Sequence, residues 1–278
     1  MEYLNLDPDF TPFGKSIAFD AFTFNGGEPH IKIKEELKDC SEVMVTARVK
    51  TFNDFGFVLV AADALKRMKV QSIQLTLPYF PGARQDRIMI SGEPLTVKVY
   101  ADLINTLKLD KVIVFDPHSE VTPALLDNVE VIHNYDFVGE VLKDCDDAVL
   151  IAPDGGALKK IYSTSKYLGG IPVVECGKSR DVKTGELSGF KVYEDDLKGK
   201  TCIVVDDICD GGGTFIGLAK ELKKKNAGDL ILAVSHGIFS YGFEDLLSLY
   251  KEVFTTDSFG TVKQENVKQI KLSQILKL

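Results

Sequence analysis

The chain is 278 residues long, with 45% hydrophobic and 27% charged residues, which suits a globular protein with a real core and either two ordinary domains or one large one. Its formal charge is −8, from 33 basic and 41 acidic side chains, and this excludes a general nucleic-acid binder, whose sequence-independent affinity comes from Lys and Arg on phosphates. No apolar run approaches the roughly 20 residues of a membrane span, the acidic start MEYLNLDPDF lacks a cationic, apolar signal, and Cys40, Cys145, Cys176, Cys202 and Cys209 form no CxxC pair, so no membrane, disulfide framework or zinc site is expected and a reduced, cytoplasmic setting is.

In chain order, strands are expected at 16–24, 30–34 and 43–49, a helix at 53–68, a strand at 72–80, a helix at 94–108 and a strand at 111–117. A helix at 136–144, a strand at 148–153, a helix at 155–168 and strands at 171–176 and 201–206 follow. A helix at 213–226, a strand at 229–236, a helix at 242–249 and a strand at 251–256 complete the pattern. The runs VIVF (112–115), AVLIA (148–152), CIVV (202–205) and LILAV (230–234) read as strands buried on both faces. Such alternation of strand and helix implies parallel α/β sheets. It runs twice, with a seam near 130–136 and no Pro- or Ser-rich linker, which divides the chain into domains 1–134 and 135–278. The polar stretch 177–200, containing GKSRDVKTGELSG, reads as a long loop with room for a short hairpin, of a length often used as a functional lid.

The strongest local signal is TCIVVDDICDGGGTF (201–215). An apolar strand is expected to end in Asp206 and Asp207. Asp210, Gly211, Gly212, Gly213 and Thr214 follow, and then a helix. Ligands of parallel α/β sheets sit beyond the carboxyl ends of strands. Glycines let backbone N–H groups approach a phosphate, and the next helix turns its positive dipole end toward it. Two acids there can bond a sugar's vicinal hydroxyls or hold Mg²⁺. APDGG (152–156) repeats the logic with Asp154. PYFPGARQDR (78–87) is a loop presenting Arg84, Gln85, Asp86 and Arg87, and arginine offers a planar fork for phosphate. Asp116 and His118 follow the strand KVIVF, and strand periodicity would put both on one face, where an acid and an imidazole can ligate a divalent cation or orient a triphosphate. Lys178 and Arg180 lie in the polar loop. GKS (177–179) is not a Walker A motif, because Pro172 stands where that motif needs glycine. His30, His133 and His236 have no assigned role beyond structure.

The segment 201–215 resembles the phosphoribosyl pyrophosphate (PRPP) motif shared by phosphoribosyltransferases and PRPP synthetases. Three further segments resemble the ribose-phosphate diphosphokinase (PRPP synthetase) family: LPYFPGARQDR (77–87), DPHSEVTPALLDN (116–128) and FNGGE (24–28). The resemblance implies an α/β fold of two phosphoribosyltransferase-like domains, each with a central, mainly parallel sheet flanked by helices. It also implies transfer of pyrophosphate from ATP to C1 of ribose 5-phosphate with Mg²⁺ as cofactor. Residues Phe24, Glu28, Arg84, Gln85, Asp86, Arg87 and His118 would then bind ATP, with FNGGE reaching the adenine of a neighbouring subunit in a homo-oligomer. Asp154, Asp206, Asp207 and Asp210–Thr214 would bind ribose 5-phosphate, Asp116, His118 and Asp154 the metal. Lys178 and Arg180 would close over the transferring phosphates as a flap and, with His118, carry catalysis.

A PRPP-consuming phosphoribosyltransferase would share the fold and the 201–215 signal but would not need RQDR, FNGGE or the DPHS segment. A catalytically silent regulatory homologue should have damaged flap or loop residues, and here Lys178, Arg180, His118, Asp206, Asp207 and Thr214 are all present. Three departures from the family pattern stand out. Gly26 occupies a position usually acidic, which is expected to weaken discrimination among nucleoside triphosphates. Gly211 occupies a position usually Thr, with a modest rise in KM for ribose 5-phosphate expected. The chain is short around 119–136 and after 257, which leaves oligomer size and regulation by phosphate or ADP open.

Overall fold

A computed structural model describes residues 1–37, 42–143, 145, 147–180 and 187–276 of the chain. Cys40, the Asp144 end of one expected helix and the 181–186 part of the polar stretch lie outside the described residues, as do the side chains at positions 179, 180, 187 and 188. The chain divides into two compact units, Met1–His133 with Leu272–Leu278, and Asn134–Lys271. The division thus falls at 133/134, and residues 272–278 group with the first unit, whereas the sequence reading assigned them to the second domain.

The first unit contains β1 (Glu2–Asn5), β2 (Phe19–Thr23), β3 (Pro29–Ile33), β4 (Glu42–Thr46), α1 (Phe52–Arg67), β5 (Ser72–Leu77), α2 (Thr96–Thr106), β6 (Lys111–Phe115), α3 (Val121–Leu125) and β7 (Val129–Ile132). Among the described residues a five-stranded sheet runs in the order β1-β4-β5-β6-β7, parallel at every step. The strands β2 and β3 form a separate antiparallel hairpin. The core joins Val43, Val45, Leu75, Leu77, Val112 and Val114 of the sheet to Phe55, Val58 and Leu65 of α1 and Ala101 and Ile104 of α2. Helix α1 begins at a capping box: Asp54 N donates to Thr51 Oγ1 at 3.2 Å and Thr51 N to Asp54 Oδ2 at 2.8 Å. Satisfying these orphan donors stabilises a helix start by about 1 kcal/mol.

The second unit contains α4 (Tyr135–Leu142), β8 (Ala148–Ala152), α5 (Leu158–Tyr167), β9 (Val173–Arg180), β10 (Leu187–Val192), β11 (Thr201–Cys209), α6 (Gly213–Lys224), β12 (Leu230–Gly237), α7 (Glu244–Leu247), β13 (Glu252–Thr256) and β14 (Val267–Ile270). Its sheet has the order β10-β9-β8-β11-β12-β13-β14 among the described residues. All neighbours are parallel except the antiparallel pair β9–β10. Strand β12 is buried along its whole length, as its unbroken apolar run requires when helices cover both faces. The stretch expected as a loop from 177 is therefore strand through Arg180 and resumes as strand at Leu187. No described helix is long and apolar enough to cross a membrane.

Candidate active site

The sheet order of the second unit reverses between β8 and β11. The chain leaves β8 toward β9 on one side and leaves β11 toward β12 on the other. Such a reversal opens a crevice beyond the carboxyl ends of the two strands, the usual ligand position in an open α/β sheet. Asp154 follows β8. The two other acids differ from expectation, because β11 continues past Asp206 to Cys209, with Ile208 and Cys209 paired to His236 and Gly237. Asp206 and Asp207 thus lie inside the strand, held by ladder bonds. Asp207 is only 5% exposed, and its N–H donates to Asp206 Oδ1 at 2.9 Å. Burial, then the Asp207 carboxylate and, more weakly, Asp154 push the Asp206 carboxyl well above the usual carboxylate range, since each disfavours a further negative charge.

Helix α6 starts at Gly213, with Gly212 as its N-cap at φ 78° and no side chain bonded to the cap. A left-handed φ is cheap for glycine alone. Glycine at the N-cap supplies no capping side chain, and the positive end of the α6 dipole there favours an anion. Across the crevice entrance, Asp154 Oδ1 accepts from Gly156 N at 2.9 Å and Ala157 N at 3.2 Å, and Asp154 Oδ2 forms an ion pair with Lys178 Nζ. Burial raises the Asp154 carboxyl, but the Lys178 ammonium and the two amides outweigh it and hold it below the usual range. Lys178 itself is a strand residue of β9, paired with Phe190 of β10, and not part of a free loop. Arg180 ends the same strand, and its side chain lies outside the described residues. The structure therefore brings Asp154, Lys178, Asp206 and Asp207 into one charged group beside the Asp210–Thr214 loop.

In the first unit, β5 and β6 are parallel neighbours, so the loops after them leave the same edge of the sheet. Gly82 (φ 72°) and the bond from Gln85 N to Gly82 O at 2.8 Å shape the first loop, which exposes Arg84, Gln85 and Arg87. The Asp86 side chain is 8% exposed, and Arg87 Nε stands 3.5 Å from its Oδ1. In the second loop the periodicity argument for Asp116 and His118 fails. Strand β6 ends at Phe115, and Asp116 adopts φ 41°, a left-handed conformation that breaks the alternation. Asp116 is fully buried, with its N–H bonded to Ile132 O at 2.7 Å, while His118 is half-buried. A strained, non-glycine backbone at a strand end is a common mark of a functional position.

FNGGE forms the tip of the β2–β3 hairpin, closed by bonds from Phe24 N to Glu28 O at 2.9 Å and from Gly27 N to Phe24 O at 2.8 Å. Phe24 stacks edge-on against Phe22 with centroids 4.8 Å apart and is 52% exposed. A β-carbon on Gly26 would stand 2.6 and 2.8 Å from the Glu28 carboxylate oxygens, so the Glu28 carboxylate fills the space that a side chain at 26 would take. Asp116 and His118 lie in one unit and Asp154 in the other, and among the described residues no three acidic, His or Cys side chains form a group that could hold a metal ion. Burial pushes the thiols of Cys176, Cys202 and Cys209 up to about 12, 11 and 12, so they are neutral at physiological pH. His236 is buried with Nδ1 2.8 Å from Ser258 Oγ. Two features escaped sequence reading, the Lys178–Asp154 pair and Tyr241, whose ring lies over Gly211. Neither is signalled by spacing, since both join distant segments.

An open parallel sheet with an acidic strand and a glycine loop at its reversal point defines a phosphoribosyltransferase-type α/β enzyme. Residues 15–107 match the family model of the N-terminal domain of ribose phosphate pyrophosphokinase, and residues 130–269 match that of the phosphoribosyl transferase domain. The ribose-phosphate pyrophosphokinase of Vibrio cholerae is 30% identical over 264 residues, 91% of this chain and 83% of that one. The one from Mycobacterium leprae is 26% identical over 266 residues, 93% and 81% of the two chains. The crystal structure of phosphoribosylpyrophosphate synthetase from Mycobacterium smegmatis aligns with a TM-score of 0.82 at 25% identity, covering 99% of this chain and 96% of that one. The chain belongs to the ribose-phosphate pyrophosphokinase family.

Proposed function

We propose that the chain transfers the pyrophosphoryl group of ATP to the C1 hydroxyl of ribose 5-phosphate, releasing AMP and PRPP. The observation that carries this reading is the presence in one chain of both family domains, since a PRPP-consuming transferase has no need of the first. The loop Asp210–Thr214 binds the 5-phosphate through the first-turn amides of α6. Asp206 and Asp207 accept bonds from the ribose 2- and 3-hydroxyls. Arg84, Gln85, Asp86, Arg87 and His118 bind the nucleotide, with Phe24 and Glu28 meeting the adenine of a neighbouring copy in a homo-oligomer.

The residues fit Mg²⁺ bound with its nucleotide better than a cage made by protein alone. Mg²⁺ keeps waters and takes one or two carboxylates plus substrate phosphates, and the acidic group at Asp154, Asp206 and Asp207 supplies such carboxylates with Lys178 as its countercharge. Asp154 of the second unit is a candidate ligand for the ion, as are Asp116 and His118 of the first unit. When bound, the ion neutralises charge on the triphosphate.

The C1 oxygen attacks the β-phosphorus, the bond from that phosphorus to the α-bridging oxygen breaks, AMP carries off the electron pair, and the hydroxyl proton passes to solvent. Such in-line transfer depends on positioning and charge neutralisation. Lys178 and Arg180 place positive charge at the transferring phosphates. Incubation with ATP, Mg²⁺ and ribose 5-phosphate should release AMP only when the sugar phosphate is present. AMP release that ignores the sugar, or no release at all, contradicts the reading.

The Glu28 carboxylate can accept a bond from the adenine amino group, which guanine lacks at that place. Glu28→Gln is expected to lower the preference for ATP over GTP by about tenfold, the worth of a bond to a charged acceptor. The ratio of kcat/KM values for the two donors measures it, and an unchanged ratio removes Glu28 from base recognition.

A further inference from the structure

Gly211, in the middle of the candidate phosphate loop, has a negative φ, so its backbone would suit any residue. The neighbour that stands closest to its open face is Tyr241. A β-carbon on Gly211 would stand 3.0 Å from Tyr241 Cε2 and 3.1 Å from Cδ2, closer than carbon atoms pack without a shift. The ring edge of Tyr241 occupies the volume that a side chain at 211 would fill.

The turn that presents this ring is tied to the loop. Ile238 N and Phe239 N both donate to Cys209 O, at 2.9 and 3.2 Å, and Ser240 N donates to Asp210 O at 3.1 Å. Gly242 N donates to Phe239 O at 3.0 Å, with φ 75° at Gly242. Phe239 is buried and packs on Phe243 with ring centroids 4.5 Å apart. Residues 238–242 therefore ride on the same backbone that forms the start of the cradle. Tyr241 nevertheless is 87% exposed, more than any other large apolar side chain among the described residues. An exposed tyrosine is ordinary by itself. Here the backbone is fixed, the ring takes the space of a side chain on the phosphate loop, and the rest of the ring faces solvent beside the start of α6, where Gly212 is the N-cap.

We propose that Tyr241 is a substrate-binding residue for the sugar phosphate. Its ring walls the side of the Asp210–Thr214 cradle that Gly211 leaves open, and its hydroxyl donates a hydrogen bond to the phosphate of the bound ligand. A donor to a charged phosphate oxygen forms a shorter, stronger bond than a neutral pair, and a ring that keeps water off the loop strengthens the amide contacts as well. Gly211 then serves as space: it lets the ring close while its own N–H stays in the cradle. This inference rests on the functional reading above.

The test is calorimetric titration of ribose 5-phosphate into the wild type, Y241F, Y241A, G211A and the double variant G211A/Y241A, with steady-state kinetics and melting temperatures beside it. Y241F is expected to raise both Kd and KM for ribose 5-phosphate by about tenfold, the loss of one bond to a charged group, and Y241A by at least as much. The KM for ATP and the melting temperature stay at wild-type values. G211A should show the same defect by displacing the ring, and the double variant should bind no worse than Y241A, because the two changes act on one contact. If Y241A binds and turns over ribose 5-phosphate within about twofold of an active wild type, the range of an ordinary surface substitution, the assignment of Tyr241 is wrong and the functional reading stands. A defect confined to kcat, with Kd unchanged, also overturns it. If the wild type neither binds ribose 5-phosphate nor releases AMP, the functional reading fails and the role of Tyr241 fails with it.

Discussion

Lys178→Ala should lower turnover by about 100- to 1,000-fold, the usual cost of removing one donor that meets charge developing in a transition state, while ATP binding is retained. Lys178 extends from β9 and in this structure pairs with Asp154. On the proposed mechanism it exchanges that carboxylate for the transferring phosphates as the ligands bind. The same substitution has a second signature. The folded-state carboxyl of Asp154 lies below its ordinary value, with Lys178 the chief cause of the lowering. A depressed carboxyl contributes stability that is present above the unfolded value, roughly pH 4, and is lost as the pH falls through the folded one. Without Lys178 only the Gly156 and Ala157 amides oppose burial, so the variant should lose most of this acid-side contribution. Stability measured against pH, with turnover and nucleotide binding on the same preparation, gives both readouts. Near wild-type turnover in Lys178→Ala would remove the residue from catalysis.

Asp206→Asn should separate stability from function. Burial and the adjacent Asp207 carboxylate raise the Asp206 carboxyl in the folded state. Between the unfolded value and this raised one the folded protein binds more protons than the unfolded chain, so stability falls as the pH rises through that window. Asparagine has no such slope. The variant should match the wild type near pH 4 and be the more stable at neutral pH, by about 1 kcal/mol, as is common when a strained functional group is removed. It should also lose about 10- to 100-fold in kcat/KM for ribose 5-phosphate, the worth of a bond to a charged acceptor. Melting temperatures of both proteins from acid to neutral pH test the first half. A gap that narrows with rising pH would mean that Asp206 is not under charge strain.

The interior of both sheets was legible in the sequence and the edges were not. Strands β4, β5, β6, β8, β11, β12 and β13 carry apolar runs because neighbours hydrogen-bond them on both sides and helices cover both faces. The unexpected strands β1, β7 and β14 are sheet edges, and β10, at the fourth edge, was foreseen only as room for a hairpin. Edge strands are short and half polar, as VEVI and VKQI show, and polarity is how an exposed edge avoids further pairing. The site followed the same division. That Asp154, Asp206, Asp207 and the glycine loop gather at one end of the sheet was readable because each follows an apolar run, whereas the continuation of β11 past the two acids to Cys209 was not. The ion pair of Lys178 with Asp154 joins residues 24 positions apart, and the contact of Tyr241 with Gly211 joins segments 30 apart. Local periodicity carries no trace of either. Asp116 is a third case: the alternation that would align it with His118 ends at Phe115, where the backbone turns left-handed, a conformation that single-sequence patterns do not reveal for aspartate.

The measurement closest to the heart of this account follows a radiolabel placed on the β-phosphorus of ATP through a turnover with Mg²⁺ and ribose 5-phosphate. Transfer of an intact pyrophosphoryl group should carry the label to the sugar product and leave AMP unlabelled. Label retained in ADP, with the γ-phosphate alone moved to the sugar, would contradict it.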